Sequence, residues 1–134
     1  MGFSWKASQD GDGSTVQELQ MGPFAHKISK TYKKIVLTLL ECNHFIIIDD
    51  VAFGKQEFEK WKKLLQGYKV LYVGINAPIE IIQKREKSRG DRIIGSGLAQ
   101  FRKVHEGISY DLNIDTHKES LESNVKTILS KLHA

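Results

Sequence analysis

The chain has 134 residues, 40% of them hydrophobic and 27% charged, with a formal net charge of +4 at pH 7. This length allows one domain with its own core, and the composition is typical of a soluble globular protein. The positive charge is small and spread over several helix faces, which argues against a nucleic-acid partner. The longest apolar runs are too short to span a membrane, so we expect no membrane segment.

The N-terminal residues and the cysteine content both favour a cytoplasmic protein. Residues 1–6 lack the basic segment, apolar stretch and small-residue cleavage site of a secretory signal. The single cysteine, Cys42, excludes an internal disulfide bond and a zinc site built on cysteines. We therefore expect a cytoplasmic protein that forms a single domain over residues 1–134.

The first half of the chain predicts a hairpin, a helix and a buried strand. Residues 10–14 (DGDGS) are a turn signal, and residues 15–19 predict a short strand after it. Apolar residues at helical spacing then predict a helix to about residue 42: Phe24, Ile28, Tyr32, Ile35, Leu39 and Leu40. Residues 45–48 are apolar at every position, which predicts a strand buried on both faces.

The second half alternates helices and strands. Helices are predicted around residues 58–65, from Pro78 toward Gly90, over residues 98–105 and after residue 119, and strands over residues 70–74 and 110–115. Alternation of this kind predicts an α/β fold with a parallel sheet covered on both faces. Phe24, Phe53 and Trp5 could line a ligand pocket, but ordinary core positions are the favoured interpretation.

Two aspartates, Asp49 and Asp50, end the strand predicted over residues 45–48. Ligands of doubly wound sheets bind beyond the carboxyl ends of the strands, where acidic side chains can hold Mg²⁺ directly or through water. The alternative is that one of the two caps the next turn or helix, as aspartate often does.

An arginine-rich segment follows the third predicted helix. Arg85 and Arg89 are four residues apart and share a helix face, and Arg92 follows the turn at residues 90 and 91. Three guanidinium groups on one mobile segment suit a phosphoryl group in transfer, and nearby glycines would let a lid close. The alternative is a solvated basic turn in which Asp91 pairs locally.

The loop after the last predicted strand contains Thr116 and Lys118. Thr116 and Glu119 have capping-box spacing, which is the first interpretation, and contact with an adenine or ribose is the alternative. His105 is adjacent to Glu106, and we interpret it as structural rather than catalytic.

The sequence contains no phosphate-binding loop, for which Gly, four residues and Gly-Lys-Ser or Gly-Lys-Thr are required. Gly54-Lys55 is followed by Gln56 and lacks the earlier glycine. It also follows the predicted strand that already carries the two aspartates, which is the wrong strand for such a loop.

The order of these segments resembles the chloramphenicol phosphotransferase family of small P-loop kinases. The matching segments are residues 47–51 (IIDDV), Trp61, residues 70–74 (VLYVG), residues 85–92 (REKSRGDR), residues 104–111 and residues 115–120 (DTHKES). The resemblance implies a three-layer fold with a five-strand parallel sheet and transfer of the ATP γ-phosphate to a hydroxyl of chloramphenicol or a similar small molecule.

The resemblance also implies site residues and cofactors. Arg89, Arg92 and Asp49 would be catalytic, with Asp49 an indirect Mg²⁺ ligand. ATP would be bound by four further residues: Arg85, Asp50, Thr116 and Lys118. The alternative functions are a non-catalytic binding or assembly module, which could be a homodimer, and a nucleoside or nucleotide kinase.

Relative to this family, the chain corresponds to the later part of the kinase, without the phosphate-loop strand and the helix that follows it. That strand would lie between residues 45–49 and 70–74, so a gap lined with unpaired backbone groups is expected. The two strands could pair directly, another copy could supply a strand, or the natural protein could be longer. We expect this chain alone to be inactive.

Overall fold

The computed structural model describes residues 2–134, and its first element is a β-hairpin. β1 (Phe3–Gln9) pairs antiparallel with β2 (Thr15–Met21) along its whole length. The Gly13 N–H donates to the Asp10 carbonyl at 2.9 Å and closes the turn between them. The predicted turn and the strand after it are confirmed.

Five helices lie within the described residues, and the helical periodicity of the sequence predicted each of them. They are α1 (Pro23–Glu41), α2 (Lys55–Leu64), α3 (Ile79–Arg89), α4 (Ser96–Val104) and α5 (Leu121–His133). Proline at the first position of α1 loses nothing, because the first N–H groups of a helix have no intrahelical partner. Gly90 ends α3 in the left-handed conformation that glycine adopts without strain (φ 69°).

A short parallel pair joins the later part of the chain. β3 (Val73–Asn76) pairs with β4 (Leu112–Asp115), with Val73 opposite Leu112 and Asn76 opposite Asp115. β4 lies within the strand predicted over residues 110–115, whereas β3 overlaps the strand predicted over residues 70–74 only at residues 73 and 74 and ends two residues later. Within residues 2–134 the fold is therefore a mixed α/β arrangement with two small sheets, each of two strands.

The strand predicted over residues 45–48 is wrong as secondary structure. Residues 44–53 are in neither helix nor strand, and no backbone–backbone hydrogen bond of the described residues involves residues 45–51. The side chains still alternate as in a strand: Ile46 and Ile48 pack against the core, whereas Phe45 and Ile47 are 81% and 85% exposed. A strand needs a paired neighbour, and direct pairing of this segment with β3 does not occur.

Two separate apolar clusters form the core. One consists of Val16 on β2 and Leu98 and Ala99 on α4, so the hairpin packs against that helix. The other consists of Val36, Trp61 and Leu65, and it joins α1 to α2. The expectation that Phe24, Phe53 and Trp5 are core residues is wrong, because all three are exposed. Among the described residues, no helix has both the length and the apolar character needed to cross a bilayer.

Candidate functional site

Arg85 connects α3 to the carboxyl ends of both parallel strands. Its Nη1 donates to the Thr116 hydroxyl and its Nη2 to the Thr116 carbonyl, both at 2.9 Å. The Thr116 hydroxyl and N–H donate in turn to the carbonyl of Asn76, at 3.2 and 2.9 Å. Two residues predicted to bind ATP therefore lie in contact, at the sheet edge where ligands of parallel sheets bind.

The loop after β4 is organised by Asp115. Its carboxylate accepts from the N–H groups of His117 and Lys118, at 2.9 and 3.2 Å, and lies 3.7 Å from the Lys118 ammonium. The His117 hydrogen bond is the largest cause that lowers the pKa of Asp115, and burial opposes it. The Lys118 amine is thus held near a carboxylate at the same strand end as Thr116.

The predicted capping box of Thr116 and Glu119 is wrong. α5 begins at Leu121, and Ser120 is its N-cap, with its hydroxyl accepting from the Ser123 N–H at 3.2 Å. Thr116 cannot cap this helix because it lies at the strand end, bonded to Arg85 and to β3. Its N–H, hydroxyl and carbonyl are all bonded to Asn76 or Arg85, and the ligand contact of the alternative interpretation stays a prediction.

Arg89 and Arg92 have different surroundings from Arg85, which is bonded to Thr116. Arg89 Nε lies 3.5 Å from the Asp91 carboxylate, and both side chains are more than half exposed. Arg92 is exposed, and the described residues contain no hydrogen bond or ion pair to it. The pairing of Arg89 with Asp91 agrees with the alternative of a solvated basic turn, and the binding of a phosphoryl group by all three arginines stays a prediction.

Glu86 holds the far end of that loop, and the sequence interpretation did not identify it. The side chain is 7% exposed, and its carboxylate accepts from the N–H groups of Gly95 and Gly97 and from the Ser96 hydroxyl, at 2.7–2.8 Å. Burial by itself raises the pKa of Glu86, but these hydrogen bonds outweigh it and hold the pKa below its ordinary value.

A signal for Glu86 exists in the sequence. It follows Ile79 and Ile82 at helical spacing, so it lies on the apolar face of α3 although its neighbours are charged. A carboxylate there needs partners, and the first N–H groups of α4 need acceptors. One carboxylate satisfies both requirements and anchors the arginine loop, which begins on α3 and ends at α4.

The two aspartates after residue 48 have different surroundings. Asp50 accepts from the indole Nε1–H of Trp61 at 2.8 Å, whereas Asp49 is exposed without a hydrogen bond from the described residues. Burial raises the pKa of Tyr32, and the charges of Asp50 and Asp49 raise it further, so both carboxylates lie near that hydroxyl. Neither caps α2, whose N-cap is Gly54.

A cleft of about 180 Å³ opens beyond the carboxyl end of β3. Its apolar wall includes Val51, Ile75, Ile82, Phe101 and Val104, and its polar residues are Asn76, Gln100 and His105. Asn76 also belongs to the arginine network through its carbonyl, so the cleft and the network share a wall. An apolar cleft with a few polar groups is the usual form of a small-molecule site.

Both ring nitrogens of His105, which the sequence interpretation took as structural, have partners beside this cleft. Its Nε2 lies 3.2 Å from the Ile75 carbonyl, and its Nδ1 lies 2.8 Å from the Tyr110 hydroxyl. A carbonyl can only accept, so Nε2 carries the proton and Nδ1 accepts from Tyr110. With both nitrogens bonded, the ring is fixed across the free edge of β3.

The described residues do not form a ready-made metal cage. They contain no group of three or more His, Cys, Asp or Glu side chains placed to hold a metal. Mg²⁺ in phosphoryl-transfer sites usually needs only one or two carboxylates, because phosphates and water complete its shell. Asp49, which was predicted to hold Mg²⁺ through water, has an exposed carboxylate, and its role stays a prediction.

The basic side chains of Arg85 and Lys118 lie at the carboxyl ends of parallel strands, where α/β proteins bind their ligands. The chain belongs to the chloramphenicol phosphotransferase-like protein family, whose sequence model matches residues 3–133. No curated protein matches the chain. Family membership confirms the resemblance seen in the sequence and indicates a phosphotransferase, kinase-like function.

Proposed function

We propose that the protein serves in the transfer of the ATP γ-phosphate to a hydroxyl group of chloramphenicol or a similar small molecule, in the cytoplasm. The family match over residues 3–133 carries this proposal. In the reaction the acceptor oxygen bonds to the γ-phosphorus, the bond to the bridging oxygen breaks, and ADP leaves. The hydroxyl proton passes to a base or to water.

Each candidate residue has a proposed role. Arg89 and Arg92 neutralise the phosphoryl group after the loop turns inward, and Asp49 holds Mg²⁺ through water. Arg85, Asp50, Thr116 and Lys118 form the nucleotide side of the site. Arg85 supports this assignment, because its bonds to Thr116 hold the guanidinium at the strand end.

The acceptor is proposed to bind in the cleft beside β3. The cleft is apolar on one side, as a hydroxyl-bearing aromatic compound requires, and it shares Asn76 with the arginine network. The three-layer sheet of the family is likewise a proposal: residues 45–49 and β3 would be neighbours of a central strand that is absent from these 134 residues.

Catalysis would require a phosphate-binding loop from outside these 134 residues, because backbone N–H groups in that loop hold the ATP phosphates. We therefore expect the chain by itself to bind ATP weakly and to leave the acceptor unphosphorylated. Calorimetric titration with ATP and Mg²⁺ tests the first expectation. Micromolar binding would show that the loop is dispensable.

Acceptor binding can be tested on the chain as it is, by ligand-detected NMR with chloramphenicol, a nucleoside and an amino-acid amide. We expect chloramphenicol to bind and Phe101→Ala to weaken it, since Phe101 lines the cleft and is partly exposed. Phe3→Ala, an exposed aromatic on the hairpin, is the matched control. Preferential nucleoside binding would favour a nucleoside kinase, and no binding by any compound would contradict the proposal.

A non-catalytic assembly module is the second candidate function, and one observation favours it. Large apolar side chains on α1 and in residues 44–53 face solvent, where a partner could cover them. Such a module would not bind the acceptor panel, so the acceptor titration separates it from the phosphotransferase.

A further inference from the structure

The segment formed by residues 45–49 has the side-chain alternation of a strand but lacks a strand's hydrogen bonds. Ile46 and Ile48 are packed against the cluster around Trp61, so the segment is held in place. Phe45 and Ile47 point the other way, into solvent. Fixed, extended backbone with free N–H and C=O groups is a template for pairing with another strand.

The exposed area of the whole chain indicates that a large partner is missing. The accessible surface is 9871 Å². A folded monomer of this mass exposes about 7,100 Å², so this chain exposes roughly 2,800 Å² more. Each protomer of an obligate homodimer buries about 1,000–2,500 Å². A second copy of the chain would therefore cover roughly a third to nine-tenths of the excess.

The segment is complementary to itself under a two-fold axis at Ile47. In the antiparallel register centred there, Ile47 lies opposite Ile47 of the second copy, and Ile46 lies opposite Ile48. Side chains directly opposite each other in an antiparallel pair share a face, so the packed isoleucines of both copies stay on one side. His44 then lies opposite Asp50, which joins an imidazole to a carboxylate at each end.

We propose that the chain forms a two-fold dimer in which residues 45–49 of two copies pair as antiparallel strands. The outer edge of β1, which is one of several strand edges among the described residues, fits this role less well. β1 is already paired with β2 over all seven residues, and polar side chains, Ser4, Lys6 and Ser8, alternate along it. The dimer is proposed for these 134 residues as they stand, whereas the phosphotransferase proposal needs a further strand beside residues 45–49, so the two proposals are tested by separate experiments.

Light scattering over a concentration series tests the dimer. At roughly 50 µM we expect twice the mass of one chain, with Ile47→Lys weakening the dimer more than about tenfold, because it removes apolar burial and opposes like charges. Ile47 is 85% exposed, so the change should leave the monomer fold intact. Phe3→Lys on β1 is the control. A monomeric mass, or equal weakening by both variants, would overturn the proposal.

Disulfide trapping tests the register. In a Cys42→Ser background, Ile47→Cys places two thiols across the axis, where Cα atoms lie about 4.5–5.5 Å apart and a disulfide can form. Phe45→Cys places its two thiols about 13 Å apart along the strands, so it should not cross-link. Rapid cross-linking of Ile47→Cys alone supports the axis. Equal cross-linking by both cysteine variants, or by neither, contradicts the two-fold axis at Ile47. The exposed side of residues 45–49 would then be covered by a different partner.

Discussion

Two regions of the molecule differ in how completely their polar and apolar groups find partners. The first consists of the hairpin, α3 and α4, and the second consists of α1 and residues 44–53. In the first, the Glu86 carboxylate accepts three hydrogen bonds and the hairpin is tied to α4. In the second, Phe45 and Ile47 face solvent and the backbone beside them is unpaired. The first region is complete within the chain, whereas the second has the form of a surface that another strand would cover.

Removal of the Glu86 side chain should have the largest effect. Glu86→Ala leaves two buried N–H groups and a hydroxyl without their acceptor, and we expect a loss of about 3 kcal/mol in the free energy of unfolding. Urea unfolding measures it. Glu80→Ala, exposed on the same helix, is the control and should change stability far less. Equal losses of unfolding free energy in the two variants would mean that the hydrogen bonds of Glu86 stabilise the fold no more than an exposed glutamate does.

Gly95→Ala should cause the second-largest loss of stability, because the added methyl group would push the hairpin away from the end of the arginine loop. Gly95 has φ 94°, and an added Cβ would lie 2.5 Å from the Thr15 carbonyl oxygen. We expect a loss of about 2 kcal/mol from backbone strain and displaced packing. Gly11→Ala is the matched control, since nothing lies within 4 Å of its Cβ position. Thermal unfolding of both variants would show whether this contact matters.

Asp50→Ala tests the ordered part of the second region. It removes the acceptor of the Trp61 indole N–H, whose ring is 5% exposed, and we expect a loss of about 1 kcal/mol. Asp49→Ala changes a neighbouring carboxylate that has no hydrogen bond from the described residues, so stability should stay nearly constant. Chemical unfolding followed by tryptophan fluorescence compares them. A larger loss of unfolding free energy for Asp49→Ala than for Asp50→Ala would contradict the finding that only Asp50 accepts a hydrogen bond from Trp61.

A smaller effect depends on pH. The pKa of Glu86 is lowered in the folded chain, so its stabilisation is complete above the ordinary glutamate pKa of 4.5 and is lost as pH falls through the folded pKa. The stability difference between the natural chain and Glu86→Gln should therefore shrink on acidification below pH 4.5. Unfolding midpoints from pH 7 to pH 3 measure this. A difference that grows on acidification would contradict the lowered pKa.

The smallest effect is expected from the ion pair of Arg102 with Asp10, 2.5 Å apart, which joins α4 to the hairpin turn. Arg102 is half exposed, and exposed ion pairs contribute little to stability. Arg102→Ala should change the unfolding midpoint slightly in low salt and not measurably in high salt. Lys103→Ala, which removes the pair with Glu18, is the companion variant. A large, salt-independent loss would show that packing, not charge, joins the two elements.

The sequence predicted the helices well, because helical periodicity is a local property. The apolar series on α1 identified the helix, yet five of its members, Phe24, Ile28, Tyr32, Ile35 and Leu39, are exposed. Periodicity shows which residues share a face, but a neighbour must exist before that face is buried. The same reasoning explains the failed strand at residues 45–48, since its composition is that of a buried strand and its partner is absent.

For the candidate site, the sequence identified the residue types and only the tertiary structure decided their contacts. The order of motifs was sufficient to indicate the family, because that order is written in the chain. The contacts are set over distances of many residues: Arg85 binds Thr116, 31 positions away, and Glu86 closes the loop that carries Arg92. Hydrogen bonds between distant segments depend on how helices and strands pack, which the spacing of residues along the chain does not encode by itself.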